Sequence, residues 1–295
     1  MNEVKKPGKW ASLTKRTLPF VIAVMILFAS VYCAGYVYIA VLLFATVFSM
    51  YEIYSAFAGL PDVRPITVPG YVFIGLMVPA WYFFGVTGLL MLFMLCSFVV
   101  FAFRIFSKKY STRDVVFSTF ALLYPALLLS MLLLLLKRDL GVFFIPFSER
   151  GASMLAMICT YTVAVFTDTF AYLTGMSFGR HRLCPDISPK KTVEGAIGGT
   201  LGSMGGMLLI YFFLQKLFGF DFPVYHYIII GLLASLAAQI GDLAASLIKR
   251  FTGIKDFGKL VPGHGGAMDR MDSVIFAAPV VIGYFALVLS MGGIA

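Results

Sequence analysis

The sequence predicts an all-α polytopic membrane protein, and its composition, its long apolar segments and its charge distribution each indicate this class. The chain has 295 residues, of which 60% are hydrophobic and 13% charged, and its mean hydropathy is +0.94. Average soluble domains carry about 25% charged residues. Since a helix needs about 20 apolar residues to cross a bilayer, we expect about nine transmembrane helices. The predicted spans are residues 17 to 33, 35 to 57, 66 to 84, 86 to 106, 114 to 136, 151 to 173, 195 to 218, 224 to 247 and 273 to 293.

Basic residues segregate to one side of this arrangement. With a cytoplasmic N-terminus, 19 of the 23 Lys and Arg residues fall on the cytoplasmic side, which agrees with the positive-inside rule. The basic residues left on the opposite side are Lys137, Arg138, Arg150 and Lys216. We therefore expect the N-terminus in the cytoplasm and the C-terminus on the opposite side. The net charge of +9 then follows from topology and from attraction to anionic lipid headgroups, so we expect no nucleic-acid partner.

No soluble domain or internal repeat interrupts the chain, so we expect one integral membrane domain over residues 1–295. Residues 1–150 are apolar segments with short turns and are expected to be mainly scaffold helices. Residues 151–295 hold nearly all the motif-like chemistry and form the expected catalytic half. One predicted span in this half also carries a glycine at every fourth position, which is typical of close helix packing. These glycines are Gly198, Gly202 and Gly206.

A polar, charged stretch at residues 246–272 lies between two long apolar segments and is the predicted reaction centre. If the preceding helix continues to Arg250, one carboxylate, one hydroxyl and two cations share a helix face, because their spacing is i, i+4, i+7 and i+8. These residues are Asp242, Ser246, Lys249 and Arg250. A stripe of this kind places a carboxylate beside two groups that bind phosphate.

The turn Pro262-Gly263-His264-Gly265-Gly266 follows this stripe and is suited to close approach of phosphate oxygens. Beyond it, Asp269 and Asp272 are three residues apart, so both carboxylates can point the same way to hold a metal. Carboxylates for a metal, cations for phosphate and glycines for access together indicate nucleotide chemistry.

A second anion site is predicted at Ser188-Pro189-Lys190-Lys191-Thr192, on the same face of the membrane. This run precedes a Gly-rich helix start, where free N–H groups and the positive end of the helix dipole favour phosphate. Ionised carboxylates are costly in hydrocarbon and usually face a cavity or a partner. Glu52, Asp168 and Asp242 all fall toward the cytoplasmic ends of predicted spans, so we expect them to line one cavity open to the cytosol.

With these residues the chain resembles the phosphatidate cytidylyltransferases, also called CDP-diglyceride synthases. The resemblance is strong over roughly residues 160–275, whereas the N-terminal half matches only in hydropathy. The main signature stands here as Ser246, Lys249-Arg250, Lys255-Asp256, Pro262-Gly263-His264-Gly265-Gly266 and Asp269-Arg270-Met271-Asp272. The family's other motifs stand as Asp168-Thr169-Phe170-Ala171-Tyr172, Ser188-Pro189-Lys190-Lys191-Thr192-Val193-Glu194-Gly195 and Gly241-Asp242.

The resemblance implies a nucleotidyltransferase of phospholipid biosynthesis that converts CTP and phosphatidate into CDP-diacylglycerol and pyrophosphate. It also implies dependence on Mg²⁺ and a homodimer. A second cation is compatible with the same resemblance. The expected location is the bacterial inner (plasma) membrane, with the active site facing the cytoplasm. A phosphate monoester has a second pKa of about 6, so the lipid phosphate is mostly ionised at neutral pH. Attack on the α-phosphorus of CTP then needs charge neutralisation and positioning more than a strong base.

The resemblance also implies roles for the quoted residues. The expected metal ligands are Asp242 and Asp269, with Asp272 and Asp168 as further ligands or supporting groups. The expected catalytic set is Asp242, Lys249, Arg250, Asp269, Arg270 and Asp272. The expected substrate-binding set is Ser188, Lys190, Lys191, Thr192, Ser246, Lys255, His264, Gly265 and Gly266. Lys190 and Lys191 are expected to meet either the lipid phosphate or the triphosphate tail, and the sequence does not choose between them.

Other interpretations of the same residues stay open at this stage. The paired basic residues are also typical of positive-inside anchors, His264 of an ordinary loop, and Asp168 of a structural cavity group. Glu52 is interpreted as structural and is left out of the predicted site. A secondary transporter also carries acidic residues in its helices, but its site is split between two related halves. The opening motif of the CDP-alcohol phosphotransferases is absent from the sequence.

Overall fold

The computed structural model is mostly helical and agrees with the predicted all-α polytopic class. It describes residues 35–136, 150–218, 222–258 and 265–291. Within these residues, seven helices are long and apolar enough to cross a membrane. They are α1 (Gly35–Ala58), α2 (Val68–Phe106), α3 (Thr112–Leu135), α4 (Arg150–Phe178), α5 (Val193–Phe218), α6 (Val224–Phe251) and α7 (Met268–Ser290). A hairpin of strands β1 (Arg182–Cys184) and β2 (Ser188–Thr192) joins α4 to α5.

The seven helices coincide with eight of the nine predicted spans, because α2 contains two of them. The first predicted span, residues 17 to 33, lies outside the described residues. The count of nine and the membrane orientation therefore stay predictions. The hairpin is a feature that the sequence did not predict, since residues 188–192 were expected only to form an anion site.

Helix α2 has 39 residues and bends sharply at Gly85, whose φ of 64° and ψ of −141° are not helical. A Cβ atom at Gly88 would collide with the carbonyl of Ala80, eight residues earlier, so the chain folds back closely at this point. A straight helix of this length would extend about 58 Å, roughly twice the thickness of the hydrocarbon core. The bend falls between the third and fourth predicted spans.

Helix α3 begins regularly and becomes irregular in its middle. Ser111 caps it by accepting a hydrogen bond from the N–H of Asp114 at 3.2 Å, and the Asp114 carboxylate accepts the N–H of Ser111 at 2.7 Å. The α-helix ends at Ala121, and Leu122–Leu127 form a π-helical turn that contains Pro125. Because proline has no N–H to donate, it interrupts the ladder of helical hydrogen bonds. This break places Tyr124 in the interior of the bundle.

Helix α7 lies at the centre of the described bundle and packs against α1, α3, α4 and α6. Its residues Ile275, Ala278, Val281 and Phe285 are fully buried. This central position brings the acidic residues of its first turns beside the ends of the surrounding helices.

The glycine stripe of α5 packs against α4, which confirms the role that its spacing predicts. A Cβ atom at any of the three positions would collide with a side chain of α4, so the two helices pack closely. The opposed pairs are Gly198 with Thr174, Gly202 with Phe170, and Gly206 with Phe166. This close packing fixes α4 against α5, and both helices contribute residues to the cleft described below.

The hairpin is antiparallel, with Arg182 opposite Thr192 and Cys184 opposite Ser188. Glu194, in the first turn of α5, accepts the N–H of Arg180 at 3.0 Å, and its Oε1 lies 2.6 Å from Nδ1 of His181. These bonds join the base of the hairpin to the start of α5.

Candidate active site

Acidic residues from three helices converge where α4, α6 and α7 meet. The hydroxyl of Ser273 lies 3.1 and 3.2 Å from the two carboxylate oxygens of Asp168 and 3.5 Å from Oδ1 of Asp272. A Cβ atom at Gly241 would collide with the backbone oxygen of Asp272, so α6 and α7 are in contact there. Asp242 follows Gly241 directly. Three of the four predicted metal ligands are therefore brought together, and Ser273, which the sequence analysis did not single out, links two of them.

A cleft of about 340 Å³ opens between α4, α5, α6 and the hairpin. Most of its wall is apolar, with a few polar groups, which is the usual character of a small-molecule site. Its charged and amide side chains are Asp168, Asp242, Lys190, Lys191 and Gln239. The expectation of one shared cavity holds for Asp168 and Asp242, whereas Glu52 does not line this cleft.

Lys191 and Asp242 form an ion pair inside the cleft. Nζ of Lys191 lies 2.6 Å from Oδ2 of Asp242, and the two side chains are 26% and 31% exposed. The pair is therefore reachable by a ligand entering the cleft. Lys190, its exposed neighbour, lines the same cleft, so two cations and two carboxylates contribute to its wall.

Lys249 and Asp269 form a second ion pair, and this one is almost enclosed. Nζ of Lys249 lies 2.7 Å from Oδ1 of Asp269, and the side chains are 12% and 6% exposed. Oδ2 of Asp269 accepts the N–H groups of Phe257 and Gly266, each at 2.9 Å. The ammonium also lies 5.5 Å from the centre of the Phe257 ring, a cation–π distance. Asp269 therefore joins the end of α6, the following loop and the start of α7.

The backbone conformation at the end of α6 directs the chain into this loop. Gly253 has a φ of +72°, which favours glycine, and the N–H of Ile254 bonds back to the carbonyl of Lys249 at 2.9 Å. Arg250 points elsewhere, since its Nε donates to the carbonyl of Ile187 in the hairpin turn at 3.1 Å. The predicted stripe on α6 thus divides, with Lys249 facing α7 and Arg250 facing the hairpin.

The remaining predicted catalytic and substrate-binding residues have varied surroundings. Thr192 caps α5, because its Oγ1 accepts the N–H of Gly195 at 3.1 Å, so one amide expected to meet phosphate already has a partner. Ser246 is buried on α6, whereas Lys255 and Arg270 are exposed. Ser188 is partly exposed in β2, and Gly265 has a φ of +84° that favours glycine. Pro262, Gly263 and His264 lie outside the described residues.

Two further buried groups at this site are absent from the predicted site residues. Glu52 of α1, which the sequence places in the shared cavity but outside the site, accepts the N–H groups of Ala267 and Met268. Tyr124 is 4% exposed, and its hydroxyl has no hydrogen-bond partner within the described ranges. Its ring lies 6.1 Å from that of Phe276, which packs against Gly241 beside Asp242. A tyrosine in an apolar span gives no sequence signal that separates it from packing residues.

The donor set suits a cation that arrives with a phosphate. In the part of the chain that the structure describes, no three His, Cys, Asp or Glu side chains are arranged to hold a metal by themselves. Mg²⁺ is usually held by one or two carboxylates together with substrate phosphates and water. Asp168 and Asp242 supply two carboxylates in a cleft that also carries two lysines, so these residues fit Mg²⁺ bound jointly with a triphosphate.

Comparison with known proteins points to the same chemistry. The sequence model described as the cytidylyltransferase family matches residues 14–288. The chain is 35% identical over 189 residues to the phosphatidate cytidylyltransferase of Staphylococcus aureus (strain COL). It is 33% identical over 187 residues to that of Staphylococcus saprophyticus subsp. saprophyticus, and 32% identical over 187 residues to that of Staphylococcus haemolyticus (strain JCSC1435). Each alignment covers 63% of this chain and 65% of the relative, just under two thirds of its length.

Proposed function

The chain belongs to the cytidylyltransferase family, and we propose that it converts CTP and phosphatidate into CDP-diacylglycerol and pyrophosphate. The relatives that bear the name phosphatidate cytidylyltransferase support this choice of substrates. The observation that carries the proposal is the ion pair of Lys191 and Asp242 in a cleft at the ends of apolar helices. A phosphate-binding cation beside a metal-binding carboxylate, at the edge of a membrane domain, suits the joining of a nucleotide to a lipid phosphate.

The proposed reaction is a displacement at the α-phosphorus of CTP. An oxygen of the phosphatidate phosphate forms a bond to this phosphorus. The bond from the α-phosphorus to the oxygen that bridges it to the β-phosphorus breaks, and pyrophosphate leaves with the electron pair. The lipid phosphate is mostly ionised at neutral pH, because the second pKa of a phosphate monoester is about 6. The protein must therefore chiefly hold two anions together in line.

The two lysine–carboxylate pairs suggest how these anions are accommodated. In each pair, a predicted phosphate-binding lysine neutralises a predicted metal ligand, Lys191 with Asp242 and Lys249 with Asp269. When a triphosphate and its Mg²⁺ bind, the lysine of a pair can exchange its carboxylate for a phosphate, and the carboxylate can exchange its lysine for the metal ion. Each group keeps a partner of opposite charge, so the charge balance of the site is kept. Bound Mg²⁺ would neutralise phosphate charge and polarise the phosphorus–oxygen bonds.

In this proposal the carboxylates of the site hold Mg²⁺ and the basic residues bind the phosphate groups. Asp242 and Asp168, which line the cleft, would hold the ion there, and Asp272 would support them. Asp269, the other principal ligand expected from the sequence, does not line this cleft and is held by Lys249 and two backbone amides. Lys190 and Lys191 reach the phosphates from the hairpin, which forms part of the cleft wall. Gln239 donates to the carbonyl of Ala196 at 3.3 Å and to the hydroxyl of Thr200 at 3.0 Å, which holds α6 against α5 along the cleft.

The proposed active site faces the cytoplasm of a bacterial cell, at the inner membrane. Asp168 and Asp242 lie toward the C-terminal ends of α4 and α6, and Asp272 lies in the first turns of α7, so one membrane face carries all three. The segregation of basic residues supports a cytoplasmic position for that face. The proposal also includes a nine-span topology, which the hydropathy pattern supports, and a homodimer, which the family resemblance supports.

The proposal is tested with the full chain purified in detergent, phosphatidate, Mg²⁺ and CTP labelled in the cytidine. We expect the label to become extractable into organic solvent, with release of one pyrophosphate per labelled lipid. Omitting phosphatidate, or replacing it with diacylglycerol, should abolish both signals because the attacking phosphate is then missing. A folded sample that produces no lipid-extractable label would contradict the proposal.

A further inference from the structure

Glu52 comes from α1, in the half of the chain without motifs, yet its carboxylate is buried at the start of α7. Oε1 accepts the N–H of Ala267 at 3.0 Å and Oε2 accepts the N–H of Met268 at 2.8 Å. The residue is only 4% exposed. A buried carboxylate is costly unless it is hydrogen-bonded, and amides at a helix N-terminus provide both donors and a favourable dipole. Glu52 therefore caps α7 from 215 residues away in the sequence.

Both described ends of the segment between α6 and α7 pack directly against this carboxylate. A Cβ atom at Gly258 would collide with Oε1 of Glu52, and one at Gly266 would collide with both carboxylate oxygens. Neither glycine has a positive φ, so contact with Glu52 is what excludes a side chain at these positions. The carboxylate thus defines how closely the two ends of the segment approach α1.

Glu52 and Asp269 divide the amides of this segment between them. Asp269 accepts the N–H groups of Phe257 and Gly266, whereas Glu52 accepts those of the next two residues, 267 and 268. Adjacent amides are therefore held by two different carboxylates, one from each half of the chain. A shift of the backbone at residues 266–268 would displace the Asp269 carboxylate, and with it the paired ammonium of Lys249.

We propose that Glu52 is a positioning residue of the active site. It is not assigned a contact with either substrate; it fixes the backbone from which Asp269 and Lys249 are presented. The inference rests on the proposed function for its kinetic consequence, but its structural part is independent of the substrate.

The first variant is Glu52→Gln, which keeps the shape but removes the charge and turns an NH₂ group toward a backbone N–H. We expect kcat to fall by about tenfold or more, while KM for CTP changes by less than about threefold, because alignment is lost rather than a binding contact. Glu52→Asp keeps the charge and should retain more activity than Glu52→Gln. An unchanged kcat in a folded Glu52→Gln protein would overturn the proposal, and so would a clearly lowered KM, which would make the carboxylate a competitor of phosphate.

The second variant keeps Glu52 and disturbs it sterically. Gly258→Ala adds a methyl group against Oε1 and should lower kcat, whereas Gly283→Ala on α7 is the matched control, because nothing lies within 4 Å of a Cβ there. In the double variant Glu52→Asp with Gly258→Ala, the shorter side chain makes room for the methyl group. We expect this double variant to be more active than Gly258→Ala alone, a non-additive result. Strict additivity would contradict direct contact between the two positions.

A measurement without substrate separates this inference from the proposed function. Hydrogen exchange of the amides of Ala267 and Met268 should be faster in Glu52→Gln than in the wild-type protein, since their acceptor is weakened. Amides in the middle of α7 should be unaffected. Unchanged exchange at the two amides would overturn the positioning role even if the enzyme is active. If exchange is faster in Glu52→Gln but the wild-type protein never labels phosphatidate, the capping role of Glu52 is supported and only the proposed function is contradicted.

Discussion

Asp269 lies 2.7 Å from Lys249 in a pair that is nearly closed to solvent, whereas Asp242 lies 2.6 Å from Lys191 in a pair that is about a quarter to a third exposed. Both pairs join a predicted metal ligand to a predicted phosphate-binding lysine. Their different burial means that the same chemical change should have different consequences at the two positions.

For Asp242→Asn, we expect a large loss of activity with little loss of stability. The amide keeps the shape of the side chain but cannot balance a metal ion, so kcat should fall by about 10²-fold or more. Because the pair with Lys191 is partly exposed, its loss should change the melting temperature in detergent only slightly. Phosphatidate-dependent labelling and a thermal melt on the same sample give both values. Near-normal activity across a range of Mg²⁺ concentrations would remove Asp242 from the ligands.

For Asp269→Asn, we expect a loss of stability as well as activity. The change leaves the enclosed Lys249 ammonium without its counter-charge, and breaking a buried pair costs about 3–5 kcal/mol. The melting temperature should therefore fall clearly below that of Asp242→Asn. Asp62→Asn is a suitable control, since Asp62 is exposed with a φ of 58° that asparagine tolerates. Equal melting temperatures for the Asp242 and Asp269 variants would contradict the difference in burial.

Charge-preserving exchanges separate phosphate binding from membrane anchoring. If the basic residues only anchor the chain, Lys249→Arg, Arg250→Lys and Arg270→Lys should leave the kinetics unchanged. Geometry matters if they bind phosphate, because guanidinium is a planar fork and ammonium a compact donor. We expect at least one exchange to lower kcat/KM by roughly tenfold, about 1.4 kcal/mol. Lys109→Arg, at an exposed position outside the site, controls for the exchange itself.

Tyr124→Phe tests the buried hydroxyl of Tyr124, whose ring packs beside Phe276 of α7. The hydroxyl has no partner within the described residues, so its removal should leave the melting temperature unchanged or slightly higher. If the hydroxyl serves a bound ligand, kcat/KM should fall by several-fold while the fold is retained. A loss of stability with unchanged kinetics would instead assign Tyr124 to packing, where its ring lies 6.1 Å from that of Phe276.

The orientation is testable with a cysteine that the chain already has. Cys184 lies at the end of β1 and is partly exposed, whereas Cys96 and Cys159 are buried. If residues 104–113, 180–193 and 250–268 face the cytosol, a membrane-impermeant thiol reagent should label Cys184 only after cells are permeabilised. A Cys184→Ser variant identifies the labelled position. Efficient labelling from outside intact cells that is lost in Cys184→Ser would reverse the proposed orientation.

The class of the protein and the position of its helices follow from the sequence, because they depend on contiguous residues. About 20 apolar residues in a row satisfy their own backbone hydrogen bonds only as a helix in a bilayer, and this local requirement located the described helices. The small-residue spacing of Gly198, Gly202 and Gly206 was informative for the same reason, since a fixed spacing along a helix defines one face. The clustering of Asp168 and Asp242 also followed from their common depth in the membrane.

Only the tertiary structure decided which side chains meet. Lys249 and Arg250 are neighbours in the sequence and carry the same charge, yet one pairs with Asp269 and the other bonds to the hairpin. The sequence groups Glu52 with Asp168 and Asp242, yet its partners are backbone amides at the start of α7, more than 200 residues away. Hydropathy and spacing describe what a segment needs to bury, but the partner that meets a buried charge is set by the packing of distant helices.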